Sequence, residues 1–153
     1  MSKGEFVVKA LPAIRLAERS ATLATQEDVG ARVGPMFDAV GDALGATGGQ
    51  LGLAVGYYVT TGDGLERHAA FEYAGQAAGG FEIGELPDVG DAVTHVHLGS
   101  MATIGESWQV IGGWPGDNGA EPSGACRELY LETPRDDQNS WVTELQQPFT
   151  RRN

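Results

Sequence analysis

The sequence has 153 residues, 41% hydrophobic and 20% charged, a size and usage that bury a core of their own in a single domain and exclude disorder and collagen-like repetition. Ten Lys and Arg against 21 Asp and Glu leave a net charge of −11. That balance repels phosphate backbones and anionic headgroups, so nucleic acid and membrane are excluded as direct partners, while a cationic ligand, a basic protein partner or plain solubility remains open.

Phe6 to Leu11 and Ile14 to Leu23 read as extended segments bent apart at Pro12. Thr25, with Asp28 three residues on, opens a helix in which Val33, Met36, Phe37, Val40 and Leu44 recur at helical spacing until Gly48-Gly49 stops it. Leu51, Leu53, Val55, Tyr57 and Val59 alternate as a strand. Thr61-Gly62-Asp63-Gly64 then supplies turn chemistry before a strand from Glu66 to Tyr73. Phe81 to Leu86 and Ala92 to Leu98 are two more strands around Pro87-Asp88-Val89-Gly90, and Met101, Ile104, Trp108 and Ile111 mark a second helix. Cys126 to Leu131 and Val142 to Gln146 close the chain as strands, joined by a polar loop from Glu132 to Ser140. The start, Met1 to Glu5, lacks the apolar run of a signal peptide, and the uncharged stretch from Ala43 to Gly62 is broken by six glycines, too many for a membrane span. Cys126 is the only cysteine, so no internal disulfide forms; no zinc-spaced cluster or cofactor motif occurs, and a reducing cytoplasm fits.

The order strand, helix, strand, strand is written twice, in halves of about 6–80 and 81–150. Laying Gly34–Gly48 over Gly105–Gly119 aligns four glycines without a gap and sets Phe37 on Trp108. One inserted residue later Gly52 meets Gly124, Tyr58 meets Tyr130 and Glu72 meets Glu144, which implies hairpins of equal pitch. The expected fold is therefore α+β: duplicated β-α-β-β units related by a pseudo-twofold, an antiparallel sheet with two helices, and a ligand cleft between the halves.

Two motifs carry a resemblance. The run Glu85-Leu-Pro-Asp-Val-Gly-Asp-Ala-Val-Thr-His-Val-His-Leu-Gly-Ser100 resembles a pattern of Leu-Pro, a Gly turn and a strand ending His-x-Gly. The tail Arg127-Glu-Leu-Tyr-Leu-Glu132, a polar loop, and Thr143-Glu-Leu-Gln-Gln-Pro148 resemble paired E-x-Y and T-E-x-x-x-P strands. The chain thus resembles, from Leu11 to Phe149, the GyrI-like small-molecule-binding domain that also forms the effector-binding half of MerR- and AraC-type multidrug regulators, here in stand-alone form. The resemblance implies a pocket between the halves, lined by aromatics and holding a buried glutamate that meets cationic or polarised hydrophobic drugs. Residue by residue it implies Glu128 and Tyr130 from E-x-Y, Glu144 from T-E, and Trp108 as the aromatic of the second helix. Met101 departs from the pattern, standing where a Tyr often follows the His-x-Gly turn.

Strand alternation puts Cys126, Glu128 and Tyr130 on one face. A carboxylate there is either solvated or buried with an aromatic, ready for a cation or a proton. Glu144 is a second candidate that could instead bridge to Arg127. Tyr58 follows its repeat mate Tyr130 into the pocket, whereas Tyr57 points away; Phe71, Tyr73 and Phe37 serve either the pocket wall or the core. Trp114 is a packing anchor. His95 and His97 share a face but lack a third metal ligand, and no Ser/His/Asp or Cys/His motif is present.

Three functions follow. The first is binding of hydrophobic, often cationic aromatic compounds in drug or toxin sensing, sequestration or self-protection. The second, implied by family members that hydrolyse the cyclopropane of DNA-alkylating antibiotics, is a hydrolase in which Glu128 or Glu144 orients water or donates a proton. The third is an inhibitor of an enzyme such as gyrase, its acidic surface mimicking nucleic acid.

Overall fold

The computed structural model describes residues 6–23, 29–46, 52–61, 64–134 and 137–151, with the backbone alone for 23, 29–34, 61 and 138. Among the described residues nine strands and two α-helices form: β1 (Val7–Leu11), β2 (Ile14–Leu23), α1 (Val29–Ala46), β3 (Ala54–Thr61), β4 (Gly64–Glu72), β5 (Glu82–Leu86), β6 (Val89–Leu98), α2 (Ile104–Asp117), β7 (Ala120–Pro122), β8 (Cys126–Glu132) and β9 (Val142–Arg151). The class is α+β with antiparallel pairing, as the alternation of period-two and helical segments requires. The Thr25–Asp28 cap, the Gly48-Gly49 stop and the turn residues Gly62-Asp63 lie outside the described residues.

The chain falls into two compact units: an inner unit, Ala13–Pro87, and a terminal unit, Met1–Pro12 with Asp88–Asn153. A division near residue 80 would leave β1 beside β2; instead β1 pairs with β6 and β5 pairs with β2. Pro12 and Pro87 stand at the two crossings, where a residue without an N–H and with a fixed φ ends a ladder.

Strand order in the inner unit is β5-β2-β4-β3 and in the terminal unit β1-β6-β9-β8, with β7 added on β9. Matching β2 with β6, α1 with α2, β3 with β8 and β4 with β9 makes the two orders identical, so both units repeat one strand-helix-strand-strand plan. The hairpins, however, are not of equal pitch. In the inner unit the ladder closes at Thr61 opposite Gly64, whereas in the terminal unit it closes at Glu132 opposite Val142, beyond a register shift at Tyr130/Glu132. Tyr58 lies opposite Arg67 and Tyr130 opposite Thr143. With the two tyrosines matched, Glu72 therefore corresponds to Pro148, and the expected equivalence of Glu72 with Glu144 fails by the length of the longer loop.

Each helix lays its apolar stripe on one face of its own sheet. Under α1, Val40 and Leu44 bury Ala17 and Phe81, flanked by Phe71 and Tyr73. Under α2, Ile111 buries Val93, Leu145 and Phe149, flanked by Ile104, Trp108 and Trp114. Burying one such side chain contributes about 1.5–3 kcal/mol, so the stripes fix which sheet face each helix covers. Gly119, at φ +67°, ends α2 in the left-handed region and turns the chain into β7, a short strand that its Pro122 hides from a reading by propensity. Among the described residues no helix is long and apolar enough to cross a membrane.

Candidate functional site

Residues opposite one another in antiparallel strands share a face, and neighbours along a strand alternate. Because Leu145 packs under α2, its ladder mates His95 and Glu128 lie on the helix-covered face, as do His97, Thr143 and Tyr130 one row along. From above, Trp108 sits on the same α2 stripe as Ile104 and Ile111.

These elements converge on one carboxylate. Trp108 Nε1 donates to Glu128 Oε2 at 2.7 Å, and the Tyr130 hydroxyl donates to Glu128 Oε1 at 2.6 Å. Glu128 is 2% exposed, which removes the solvated alternative. The strand spacing of Glu128 and Tyr130 and the helix stripe of Trp108 thus meet in one place, and a buried carboxylate walled by two aromatic side chains results. Arg127 points to the opposite face, where burial pushes its guanidinium below the ordinary range.

One row further along, His97 bridges the sheet to α2. Its Nε2 lies 2.9 Å from the Ser100 carbonyl oxygen and its Nδ1 lies 2.7 Å from Ser107 Oγ. No sequence motif announces this pair. The two residues come from a strand and a helix that meet only after the chain has turned through the 3₁₀ segment Met101–Thr103.

The remaining expected residues go elsewhere. Glu144 lies on the uncovered face of β9, opposite Val96, and is held by Lys9 Nζ at 2.8 Å and by Gln146 Nε2 at 2.9 Å. It binds Lys9, not Arg127. Phe37 and Phe71 meet edge to face at 5.9 Å under α1, and Tyr73 meets Phe81 at 5.3 Å while its hydroxyl donates to the Gln76 carbonyl at 2.7 Å. All three side chains belong to the packing of the inner unit. Tyr58 is half-buried with the Arg67 guanidinium 5.1 Å from its ring centre. Trp114 packs on Phe149 at 5.1 Å, Met101 Sδ lies 4.0 Å from Thr143 Oγ1, and Cys126 Sγ donates to Gln147 Oε1.

A second buried acid was not foreseen. On the uncovered face of the inner sheet the Tyr57 hydroxyl donates to Glu18 Oε2, His68 Nδ1 donates to the same oxygen at 3.1 Å, and His68 Nε2 donates to Glu66 Oε1 at 2.7 Å. Tyr57 and His68 stack at 4.2 Å. Burial and the Glu18 carboxylate push Tyr57 well above its ordinary range. Burial opposes a charged His68, but hydrogen bonds to Glu18 and Glu66 outweigh it and raise His68. Among the described residues no three His, Cys, Asp or Glu side chains are placed to hold a metal ion.

No family model matches the sequence, and no curated protein does. Solved structures do match. The C-terminal domain of EcmrR superposes with a TM-score of 0.74 at 18% identity, over 96% of this chain and 98% of that one. The chain has the GyrI-like fold. Further examples of similar structures are SAV2435 bound to tetraphenylphosphonium, at TM-score 0.70 and 13% identity over 96% and 94% of the two chains, and a hydrolase from Listeria innocua, at 0.62 and 9% over 95% and 91%. At these identities the likeness is one of architecture, and within the GyrI-like fold the Glu128 cluster occupies the space between sheet and second helix.

Proposed function

We propose that the protein binds a hydrophobic aromatic cation at Glu128, in drug or toxin sensing or sequestration. The observation that carries this reading is the Glu128 carboxylate, 2% exposed and held by the indole of Trp108 and the phenol of Tyr130. A carboxylate removed from water attracts a poorly hydrated cation strongly, and aromatic walls add cation–π attraction of about 0.5–2 kcal/mol each. Tetraphenylphosphonium, the ligand of the similar SAV2435, has this chemistry. A cation placed against Glu128 changes the field at the Trp108 indole that bonds the same carboxylate, so the indole reports on occupancy.

Titrating tetraphenylphosphonium into the protein, calorimetrically, tests the reading. Glu128→Gln keeps size and hydrogen bonding but removes the charge, and it is expected to weaken the cation about ten- to hundredfold, the scale of about 1.5–3 kcal/mol for a charged contact. A neutral isostere such as tetraphenylmethane derivatives should change far less. Equal cation affinity in parent and variant would refute the site. The hydrolytic reading, supported by the fold shared with the Listeria innocua hydrolase, is separated in the same preparation: a ring-opened product from a cyclopropane-bearing alkylator beyond one equivalent per protein would make the chain an enzyme.

A further inference from the structure

His97 is 4% exposed, wedged between β6 and α2. Its Nε2 faces the Ser100 carbonyl at 2.9 Å; a carbonyl only accepts, so Nε2 carries the hydrogen. In the neutral ring Nδ1 is then a bare acceptor, and the atom it faces at 2.7 Å is Ser107 Oγ, which must be the donor. A helical serine ordinarily turns its hydroxyl back to the carbonyl one turn earlier. Here the proton is committed to an imidazole whose far nitrogen is pinned. Hydroxyl, base and a group fixing the base's tautomer are the three parts of an activated serine, whatever the fold. Ser107 itself is only half-buried, so an electrophile can reach it.

We infer that Ser107 is the nucleophile and His97 the general base of an acyl-transfer site for carboxylic esters with an aromatic or apolar group, which the neighbouring Trp108 and Ile104 receive. Ser107 Oγ adds to the ester carbonyl carbon as its proton passes to His97 Nδ1. The tetrahedral adduct collapses, the bond to the alcohol oxygen breaks, and His97 returns the proton to that oxygen. Water then adds to the acyl-serine by the same route, so one ester and one water become one acid and one alcohol. Between the steps the imidazolium is held through Nε2–H by the Ser100 carbonyl. The inference does not depend on what Glu128 binds.

The full chain treated with a fluorophosphonate probe should gain one adduct, mapped to Ser107 by peptide mass. Its reaction with p-nitrophenyl acetate should release p-nitrophenol beyond one equivalent. His97→Gln is the deciding variant: its amide can donate to Ser100 and accept from Ser107, preserving the bridge, but cannot take a proton. Labelling should slow about a hundredfold, the lower end of general-base catalysis. Ser107→Ala should abolish both signals. Absence of an adduct at Ser107, or equal labelling rates in parent and His97→Gln, would overturn the inference; release that stops at one equivalent would overturn its hydrolytic half. Gly90→Ala, where a Cβ meets nothing within 4 Å, is the control and should leave the labelling rate within about twofold of the parent's.

Discussion

The two units share one strand order, yet each places its buried acid on a different face. In the terminal unit Glu128 lies under α2, between Trp108 and Tyr130. In the inner unit Glu18 lies on the face that α1 leaves uncovered, held by Tyr57 and His68. With Tyr58 matched to Tyr130, the place of Glu128 falls to Gly56, which brings no side chain beneath α1. A repeated backbone plan therefore fixes hydrogen bonding and core but leaves the chemistry of each face free, because a strand's side chains can be exchanged on one face without touching the other. The helix-covered acid can respond to whatever moves its helix. The uncovered one cannot.

The largest expected effects test that contrast through the cores. Ile111 is fully buried under α2, and Ile111→Ala should cost about 2–5 kcal/mol in a denaturant melt. It should also shift the indole N–H resonance of Trp108, which sits on the same stripe above Glu128. Val40→Ala under α1 should cost less, by about 0.8 kcal/mol for the methylene it does not lose, and should leave the ring resonances of Tyr57 and His68 in place. If Val40→Ala moves His68 as far as Ile111→Ala moves Trp108, the two faces of the inner sheet are not independent.

How much of this the sequence carried depends on distance along the chain. Glu128 and Tyr130 are two residues apart on one strand and Trp108 lies on a helix stripe, so period two and period 3.6 place them on their faces, while the resemblance to the GyrI-like domain is what singles them out as site residues. Glu18, Tyr57 and His68 come from three strands, and only the register that sets Ser20 opposite His68 and His68 opposite Tyr57 reveals their meeting. Glu144 illustrates the opposite failure. Its motif was legible, but alternation with Leu145, which packs under α2, puts it on the uncovered face, where Lys9 from the edge strand β1 holds it. Phe37, Phe71 and Tyr73 were legible as aromatics near a helix, and packing claimed them.

A medium effect is expected from Gly84 on β5, opposite Leu16. A Cβ at Gly84 would overlap the Glu18 carboxylate, and that carboxylate has little freedom to yield, being tied to Tyr57 and His68. Gly84→Ala should cost about 1–3 kcal/mol, the range for overpacking. It should also return the His68 titration, followed by its ring proton shifts, toward the ordinary histidine value. Gly90→Ala is the control, because a Cβ there meets nothing within 4 Å. Equal destabilisation by both substitutions would mean that Glu18 is not held by the space Gly84 leaves.

The smallest effect is a pH dependence confined to the inner unit. His68 donates from both ring nitrogens, to Glu18 on β2 and to Glu66 on its own strand, while Tyr57 from β3 shares Glu18 and Ser20 stands opposite on β2. These carboxylates hold its folded pKa above the ordinary value of about 6.5, against the opposing effect of burial. Below about 6.5 the histidine is protonated folded and unfolded, and the ion pairing contributes in full. As the pH rises past that point the unfolded chain loses the proton first, unfolding releases a proton, and stability declines until the pH has passed the raised folded value. Urea melts between pH 5 and 9 should therefore show the parent losing stability over this window, with His68→Gln, whose side chain does not titrate, losing less. Glu18→Gln should shrink the slope by removing the carboxylate that both Tyr57 and His68 share. Were His68→Gln to leave the slope unchanged, the charge on His68 would contribute nothing to the inner unit, and its stack on Tyr57 at 4.2 Å together with the Tyr57–Glu18 hydrogen bond would hold the network's centre.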